Sequence, residues 1–449
     1  MDVFEAIYKR RSLRRFVEGA ETPKETIDKI LETTTYVPGP SPFFFIFPWR
    51  YIFITDLKTR EMLGSFGRET ARVLFGLIYE VFRGHLWYVP PESKDKVHAE
   101  AATGELWRYP AQASFVIVPC FARAAWGTEM MPLATIPVAD LCSATIGMTC
   151  ENMWLAATSL GVASAMNAMP LNDARRREMA VDVLGIPHSW ELLGAFSFGV
   201  PSQKRFVGPS RAPLEGVVFE EAWGNNYVRA AFKEEKLEFG ETPKVDLFET
   251  MKKQEHVQRF REEKVPDWKI EKILDAAKWA PDPENLQHFR YIVVRKDKKL
   301  KEALYKWNME FAHMTKDLVP EVGEMMASML QFPQHADTVI FPCSTRTAWL
   351  EYPFPAGTSA DHIFAGATAH GMQNMWLASI ALGLGATYDL TPVIDNRRKE
   401  LLCNYLGIPP SWEPLGAIYI GVPEEYIPSF KSTTVSELFF SEQWGNKYG

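Results

Sequence analysis

The sequence predicts an α+β fold built twice in one chain, each copy a small mixed β-sheet flanked by helices. Three observations predict it. First, NMWLA at Asn152–Ala156 returns at Asn374–Ala378, LGIP at Leu184–Pro187 returns at Leu406–Pro409, and GVP at Gly199 returns at Gly421, all displaced by 222 positions. A unit of that size far exceeds solenoid repeats of about 20–50 residues, so each copy is a domain. Second, runs of β-branched and aromatic residues alternate with helical stretches in both copies. Third, each copy carries one long helix that is apolar almost all round, a pattern that belongs in a core or an interface.

The elements follow in order. Asp2 caps a first helix running through Phe4, Ile7 and Tyr8. A second extends from Lys24 to about Thr35 and is stopped by Pro38. RYIFIT from Arg50 and SFVIVPC from Ser114 read as buried strands. The long helix from Asp140 to Leu160 carries the small residues Ser143, Ala144 and Gly147 and ends at Gly161. LLGAFSFGVP from Leu192 is a third strand, closed by Pro201. The second copy opens with FETMKKQEHVQRF at Phe248, aligned with FEAIYKRRSLRRF at Phe4. It continues with RYIVVR from Arg290, DTVIFPC from Asp337, a helix from Asp361 to Leu382, and PLGAIYIGVP from Pro414. A charged seam from Phe232 to Asp246 divides the domains at 1–232 and 247–449.

Composition removes whole classes of function. Of 449 residues, 47% are hydrophobic and 23% charged, the balance of a folded chain. A net charge of -7 argues against nucleic-acid binding, which needs a basic face. Five cysteines without a CxxC pair exclude a disulfide scaffold and point to a reducing, cytoplasmic compartment. The N-terminal MDVFEAIYKRRS has charges where a secretion signal needs an apolar core. PFFFIFPWRYIFI is broken by Pro48 and Arg50 and is too short to span a membrane. GLGATY ends in Tyr388 where a third glycine should stand and closes a helix, so no Rossmann domain is expected. His362 and His370 lack metal-ligand spacing, so no metal site is expected, and no hydrolase signature is present.

The RRSLRRF run places Arg10, Arg11, Ser12 and Arg14 at the end of the first helix. Guanidinium forks bind phosphate oxygens bidentately, and a serine hydroxyl completes such a site. The same cations are also at home, solvated, beside a helix C-terminus. The run alone leaves both readings open. Combined with the proline loop before an aromatic strand, the long buried helix, LGIPxxWxxLGAxxxGVP and SRAPLE (Ser210–Glu215), it resembles the nitroreductase family of flavoproteins. The likeness covers both copies except for Gly64–Ala111.

The resemblance implies an FMN-dependent oxidoreductase that passes electrons from NAD(P)H to a small organic acceptor such as a nitro, quinone or other conjugated compound. It implies FMN at an interface between two family domains. Arg10, Arg11, Ser12 and Arg14 would contact the FMN phosphate and ribityl chain, and Arg211 matches the family's C-terminal phosphate-binding arginine. A partner loop of the form P-S-x-x-N-x-Q-P-W would lie beside the flavin ring.

The copies differ at both motifs. Opposite the phosphate run, the second copy has Gln254, Glu255, His256 and Gln258, and Ser432 stands opposite Arg211. A glutamate repels a phosphate dianion. Its ring loop, APDPENLQHF, keeps Pro281, Asn285 and Gln287, with Asp282 replacing serine, Pro283 following it, and His288-Phe289 replacing Pro-Trp. The first copy's VPGPSPFFFIFPW keeps Pro38 and Pro48-Trp49 but loses the Asn and Gln.

The resemblance therefore implies one composite FMN site per chain, built by Arg10, Arg11, Ser12, Arg14 and Arg211 from one half and by Pro281, Asp282, Pro283, Asn285 and Gln287 from the other. The chain would be a monomer imitating the family dimer, its two long helices packed together. Sequence names no catalytic residue.

Gly64–Trp107 reads as a substrate cover or an extra packing helix, and Phe43–Phe47 as a pocket lining or, preferably, a plug of the lost site. Cys120/Cys343, Arg123/Arg346 and Trp126/Trp349 occur in both copies and read as structural. Asn152 and Asn374 are expected to bond across the pseudo-twofold. Other functions consistent with the resemblance are non-turnover flavin sequestration or regulation, reductive dehalogenation, and ring dehydrogenation.

Overall fold

The computed structural model describes residues 1–43, 47–77, 102–123, 138–168, 173–202, 211–228, 244–283, 287–346, 360–428 and 433–449, with isolated positions at 92, 95 and 99. The first helix, Val3–Lys9, starts where the Asp2 carboxylate accepts the Glu5 N–H at 2.9 Å. The second, Lys24–Glu32, tightens into a 3₁₀ turn over Thr33–Thr35. There each threonine hydroxyl bonds back to a carbonyl three residues earlier, which closes the helix before Pro38.

The first half contributes strands β1 (Trp49–Ile54), β2 (Phe115–Ala122), β3 (Ala163–Asn167), β4 (Trp190–Leu192), β5 (Ala195–Gly199) and β6 (Val218–Glu220). The second contributes β7 (Val257–Phe260), β8 (Phe289–Val294), β9 (Thr338–Thr345), β10 (Gly385–Asp389), β11 (Trp412–Pro414), β12 (Ala417–Gly421), β13 (Pro423–Tyr426) and β14 (Phe439–Ser441). The first sheet runs β14-β1-β2-β5-β3 with β4 beside β2; the second runs β10-β12-β9-β8-β6 with β11 beside β9.

Two sheets of matching plan thus stand in one chain, and each takes a strand from the other half. β14 pairs parallel with β1 (Tyr51↔Phe439), and β6 pairs parallel with β8 (Val218↔Tyr291). The remaining neighbours are antiparallel, which makes both sheets mixed.

One local expectation is corrected, and two further features were not read from the sequence. LLGAFSFGVP forms two strands, β4 and β5, interrupted at Leu193-Gly194. QEHVQRF, aligned with the arginine run, forms β7 and pairs with β13, whereas Arg11–Arg15 form no regular element. ASAMN and GATYD form β3 and β10, although small and polar residues give little strand signal.

The two central helices, Val138–Ser159 and Ala360–Ala381, pack against each other along their length. A Cβ on Gly147 would lie 2.3 Å from the Gly366 carbonyl oxygen, so the backbones meet where a side chain has no room. The Ser143 hydroxyl donates to the His362 carbonyl, and Gln373 Nε2 donates to Asn152 Oδ1 at 2.7 Å. Asn152 therefore bonds across the pseudo-twofold, and Asn374, whose Nδ2 donates to the Ala276 carbonyl of its own half at 3.3 Å, also interacts with the Glu151 carboxylate of the first half.

One hydrophobic core spans both halves, from Tyr51, Trp154 and Phe196 to Tyr291, Trp376 and Tyr419. A smaller cluster in the first half contains Ile52, Trp107, Tyr109 and Leu192. Arg123 and Arg346 bond the buried Glu191 and Glu413, tying β2 to β4 and β9 to β11, in keeping with a structural role. Trp126 and Trp349 lie outside the described residues. The five cysteines are free thiols. Among the described residues, no helix is long and apolar enough to cross a membrane, and no His, Cys, Asp or Glu group is arranged to hold a metal.

Candidate functional site

The chain leaves the first helix at Arg10 and runs on beside β3, where the Leu13 N–H donates to the Ser164 carbonyl at 2.9 Å. Arg10 is not a solvated helix-end cation, being 1% exposed. Its Nη2 donates to the Trp279 carbonyl of the second half at 3.0 Å, and its Nε lies 3.7 Å from Glu151 Oε1, itself fully buried. Arg211 Nη2 reaches the Trp279 and Ala280 carbonyls at 3.4 and 3.3 Å. Arg11 Nη1 donates to the Tyr8 and Arg10 carbonyls. Indole rings brace these guanidiniums: Arg10 lies over Trp154, Arg11 and Arg211 over Trp279, and Arg14 over Trp107, at 4.9–5.7 Å.

The Pro281–Pro283 segment follows Trp279 directly. Asp282, with a fully buried side chain, accepts the Gln287 and His288 N–H groups at 2.6 and 3.2 Å, pinning both ends of the loop. Gln287 is buried in the left-handed region at φ +59° and is not among the cleft-lining residues. Asn285 lies outside the described residues.

Ser12, Arg14 and Asn167 of the first half line one cleft together with Pro281, Asp282, Pro283 and His370 of the second. The cleft is partly open to solvent.

Sequence reasoning did not place Trp107, Asn167 or His370, among other lining residues, at the site. Trp107 belongs to the Gly64–Trp107 segment, which here begins as a helix, Leu57–Leu77, and returns through a 3₁₀ turn at Glu105–Arg108. A Cβ on Gly67 of that helix would lie 2.5 Å from Asn167 Nδ2 and 2.8 Å from the Trp107 carbonyl oxygen, so this glycine lets the helix approach the cleft wall. Asn167 ends β3, and His370 lies on the second central helix. The aromatic richness of 64–107 was the one signal for Trp107; nothing local marked the other two.

Electrostatically the site is crowded with cations. Burial pulls the Arg10 pKa down to about 9; Glu151 holds it up, while Arg211, Arg11 and Arg14 push it further down. Burial also raises the Glu151 carboxyl to about 7, against the pull of Arg10, Asn374 and Arg211. Arg10 Nη1 and Arg14 Nε are buried with no hydrogen-bond partner among the described residues. Arg10 and Arg211 both act on the buried Glu151 carboxylate, Arg11 and Arg14 add further positive charge around Arg10, and this mutual repulsion is the kind that a bound polyanion relieves.

The pseudo-equivalent site is built differently. Gln254 and Gln373 form a buried amide pair, with N···O distances of 2.9 and 2.7 Å, where the first half has Arg10 and Glu151. His256 Nε2 lies 2.8 Å from the Gly39 carbonyl oxygen, and its ring meets Trp376 edge-on. Burial lowers the His256 pKa to about 3, so the neutral ring donates at Nε2. Ser41 exchanges backbone hydrogen bonds with Tyr388 and Leu390 at 3.0 and 2.8 Å, and Phe43 packs edge-on against Phe311. The first half's proline loop thus lies on the edge of β10. Glu255, expected to repel phosphate there, is exposed; Phe44, Phe45, Ile46 and Ser432 lie outside the described residues.

The chain is similar to a protein of Methanothermobacter thermautotrophicus named as an NADH dehydrogenase/NAD(P)H nitroreductase, 27% identical over 206 residues that make up 46% of this chain and 91% of that one. Among solved structures, a nitroreductase with bound FMN from Bacteroides fragilis is 19% identical with a TM-score of 0.32, covering 47% of this chain and 94% of its own. An iodotyrosine deiodinase bound to FMN and 3-iodo-L-tyrosine is 16% identical with a TM-score of 0.34, covering 47% and 95%. The nitroreductase family's sequence model matches residues 7–200 and again 253–422. The chain belongs to the nitroreductase family, twice over.

Proposed function

We propose that this chain is an FMN-dependent oxidoreductase with a single flavin site, formed by the arginine run of the first half and the Pro281–Pro283 loop of the second. One observation carries the reading: Ser12 and Arg14 of the arginine run line the same cleft as Pro281, Asp282 and Pro283 of the loop, although Arg10, Arg11 and Arg211 are not among its lining residues. On the pseudo-equivalent side Ser41 pairs with the edge of β10 and Phe43 packs on Phe311. The cation cluster fits the phosphate of FMN, and the FMN-bound relative from Bacteroides fragilis supports the choice of cofactor. The name of the Methanothermobacter relative supports NAD(P)H as electron donor.

Bound in the cleft, FMN supplies hydride and electron transfer between donor and acceptor. The protein's part is binding, orientation and exclusion of water. Arg10 and Arg211, which meet at the Trp279–Ala280 backbone, and Arg11, over the Trp279 indole, would hold the phosphate, with Ser12 supplying a hydroxyl and Arg14, braced on Trp107, adding positive charge at the cleft wall. Asp282 keeps the facing loop in place through the Gln287 and His288 amides. The family motif would put Asn285 beside the flavin ring, whereas Gln287, buried and outside the cleft lining, would act only through the loop that Asp282 holds. Trp107, Trp154 and Ile363 give the cleft apolar walls suited to a flat conjugated acceptor. The chain functions as a monomer, because its second half provides the surface a family partner would provide.

Purified protein should carry flavin absorbance. Under argon, NADH or NADPH should bleach it, and a nitroaromatic or quinone should restore it. Flavin that stays oxidised with both nicotinamides would instead identify a flavin-holding protein without turnover.

A further inference from the structure

His370 is a lining residue whose chemistry the nitroreductase reading leaves unused. It sits on the second central helix with its ring 96% buried, between the Trp154 indole (centroids 5.8 Å apart, edge-on) and the Pro281 carbonyl, 3.4 Å from Nδ1. Trp154 is also the ring over which Arg10 lies, so His370 borders the cation cluster at one side and the Pro281–Pro283 loop at the other.

A carbonyl oxygen accepts only, so Nδ1 carries the proton. Burial lowers the ring's pKa to about 4, with Arg10 pushing the same way, so the ring is neutral near pH 7. Nε2 is then a lone-pair acceptor. It is buried and has no hydrogen-bond partner among the described residues. An unpaired acceptor in such a place is unfavourable unless a ligand donor meets it. At the pseudo-equivalent position of the plugged site the chain has Met148, buried and without a comparable acceptor. The histidine occurs on the side of the open cleft only.

We propose that His370 is a direct flavin ligand of this chain, accepting a hydrogen bond at Nε2 from a ribityl hydroxyl. The proposal rests on the single-site FMN reading. The hydroxyl is assigned because His370 adjoins both Trp154, over which the phosphate anchor Arg10 lies, and Pro281 of the loop expected to flank the flavin ring, so the chain that links phosphate and ring would pass it.

The test measures dissociation constants by flavin fluorescence for three probes on the full chain freed of flavin: FMN, riboflavin (hydroxyls without phosphate) and lumiflavin (ring without hydroxyls). His370→Met should weaken FMN and riboflavin by about three- to tenfold, the worth of one neutral hydrogen bond, and leave lumiflavin unchanged. His370→Gln, which retains an acceptor, should recover most of that loss. Equal loss for lumiflavin, or no loss for riboflavin, overturns the proposal. Should the methionine variant fold poorly, ¹⁵N-histidine spectra of the wild-type chain decide instead. The Nε2 resonance of His370 should move on adding riboflavin and stay still with lumiflavin; a resonance unmoved by riboflavin overturns the assignment. Failure of wild-type protein to bind FMN would defeat the underlying reading, a separate result from wild-type binding that His370 does not affect.

Discussion

The cleft beside Arg10 and its counterpart beside Gln254 lie at corresponding positions in the two halves, and they differ as sets. Arg10 faces Glu151 where Gln254 faces Gln373, His370 stands where the other side has Met148, and Asn167 corresponds to Asp389. A buried ion pair loses much of its Coulomb gain to desolvation, and removing only one member leaves a stranded charge. The plugged side carries neither charge, and its amides satisfy each other. The open side keeps both, together with three further arginines. A single flavin site, as proposed, accounts for that difference: an under-satisfied cationic cluster stands beside the cleft proposed to hold flavin, and a neutral amide pair stands at its counterpart, where Ser41 pairs with β10 and Phe43 packs on Phe311.

The largest effect should come from splitting the buried pair. Arg10→Ala should lower stability to urea by about 3–5 kcal/mol at pH 8, because it strands the Glu151 carboxylate. Replacing both members by glutamine, which recreates the Gln254–Gln373 arrangement, should restore most of that stability but not FMN binding. A double variant as unstable as the single one would break the comparison.

Next come the anchors that strand no carboxylate. Arg14→Ala or Arg211→Ala should each weaken FMN binding by about one to two decades, as charge-assisted contacts of roughly 1.5–3 kcal/mol imply. Gln258→Ala on the plugged side should leave flavin content unchanged, since Gln258 bonds only Ser328 among the described residues. Equal losses from both sides, followed by fluorescence titration, would show two working sites.

The smallest effect is a pH dependence. Glu151 ionises at about 7 in the fold against an ordinary 4.5, so the folded chain holds a proton that the unfolded chain releases in that window. Its contribution to stability is therefore full below about 4.5 and falls as pH rises through about 7. Asp140, raised to about 7 by burial and then Asp361, slopes the same way, while the buried His256, His362 and His370 slope oppositely. These groups are common to wild type and Glu151→Gln, so their contributions cancel in the difference. The variant should gain stability relative to wild type by roughly 1–3 kcal/mol between pH 5 and pH 8 in the flavin-free chain. A difference that stays flat across that range would remove the buried carboxylate from the account.

Much of the architecture was legible because repetition and burial leave strong marks. The repeated words located two copies, and the apolar helices with Gly147 announced a close helix pair. Aromatic and β-branched runs located β1, β2, β8 and β9. The exchanged strands β6 and β14 were not legible: each is only three residues long, and its partner lies in the other half. β3 and β10 were hidden because small residues suit a strand packed under a helix without displaying strand propensity. At the site, residues inside motifs, such as Ser12 and Pro281, could be named in advance. Trp107, Asn167 and His370 could not, because a position on a cleft is a property of the fold.

The central claim is that one chain holds one flavin, and titration of flavin-free protein with FMN tests it most directly. Fluorescence quenching should break at one equivalent, and Arg14→Ala should weaken that single transition. A break at two equivalents, or a second flavin retained beside Gln254 after the Arg14 site is disabled, would contradict it.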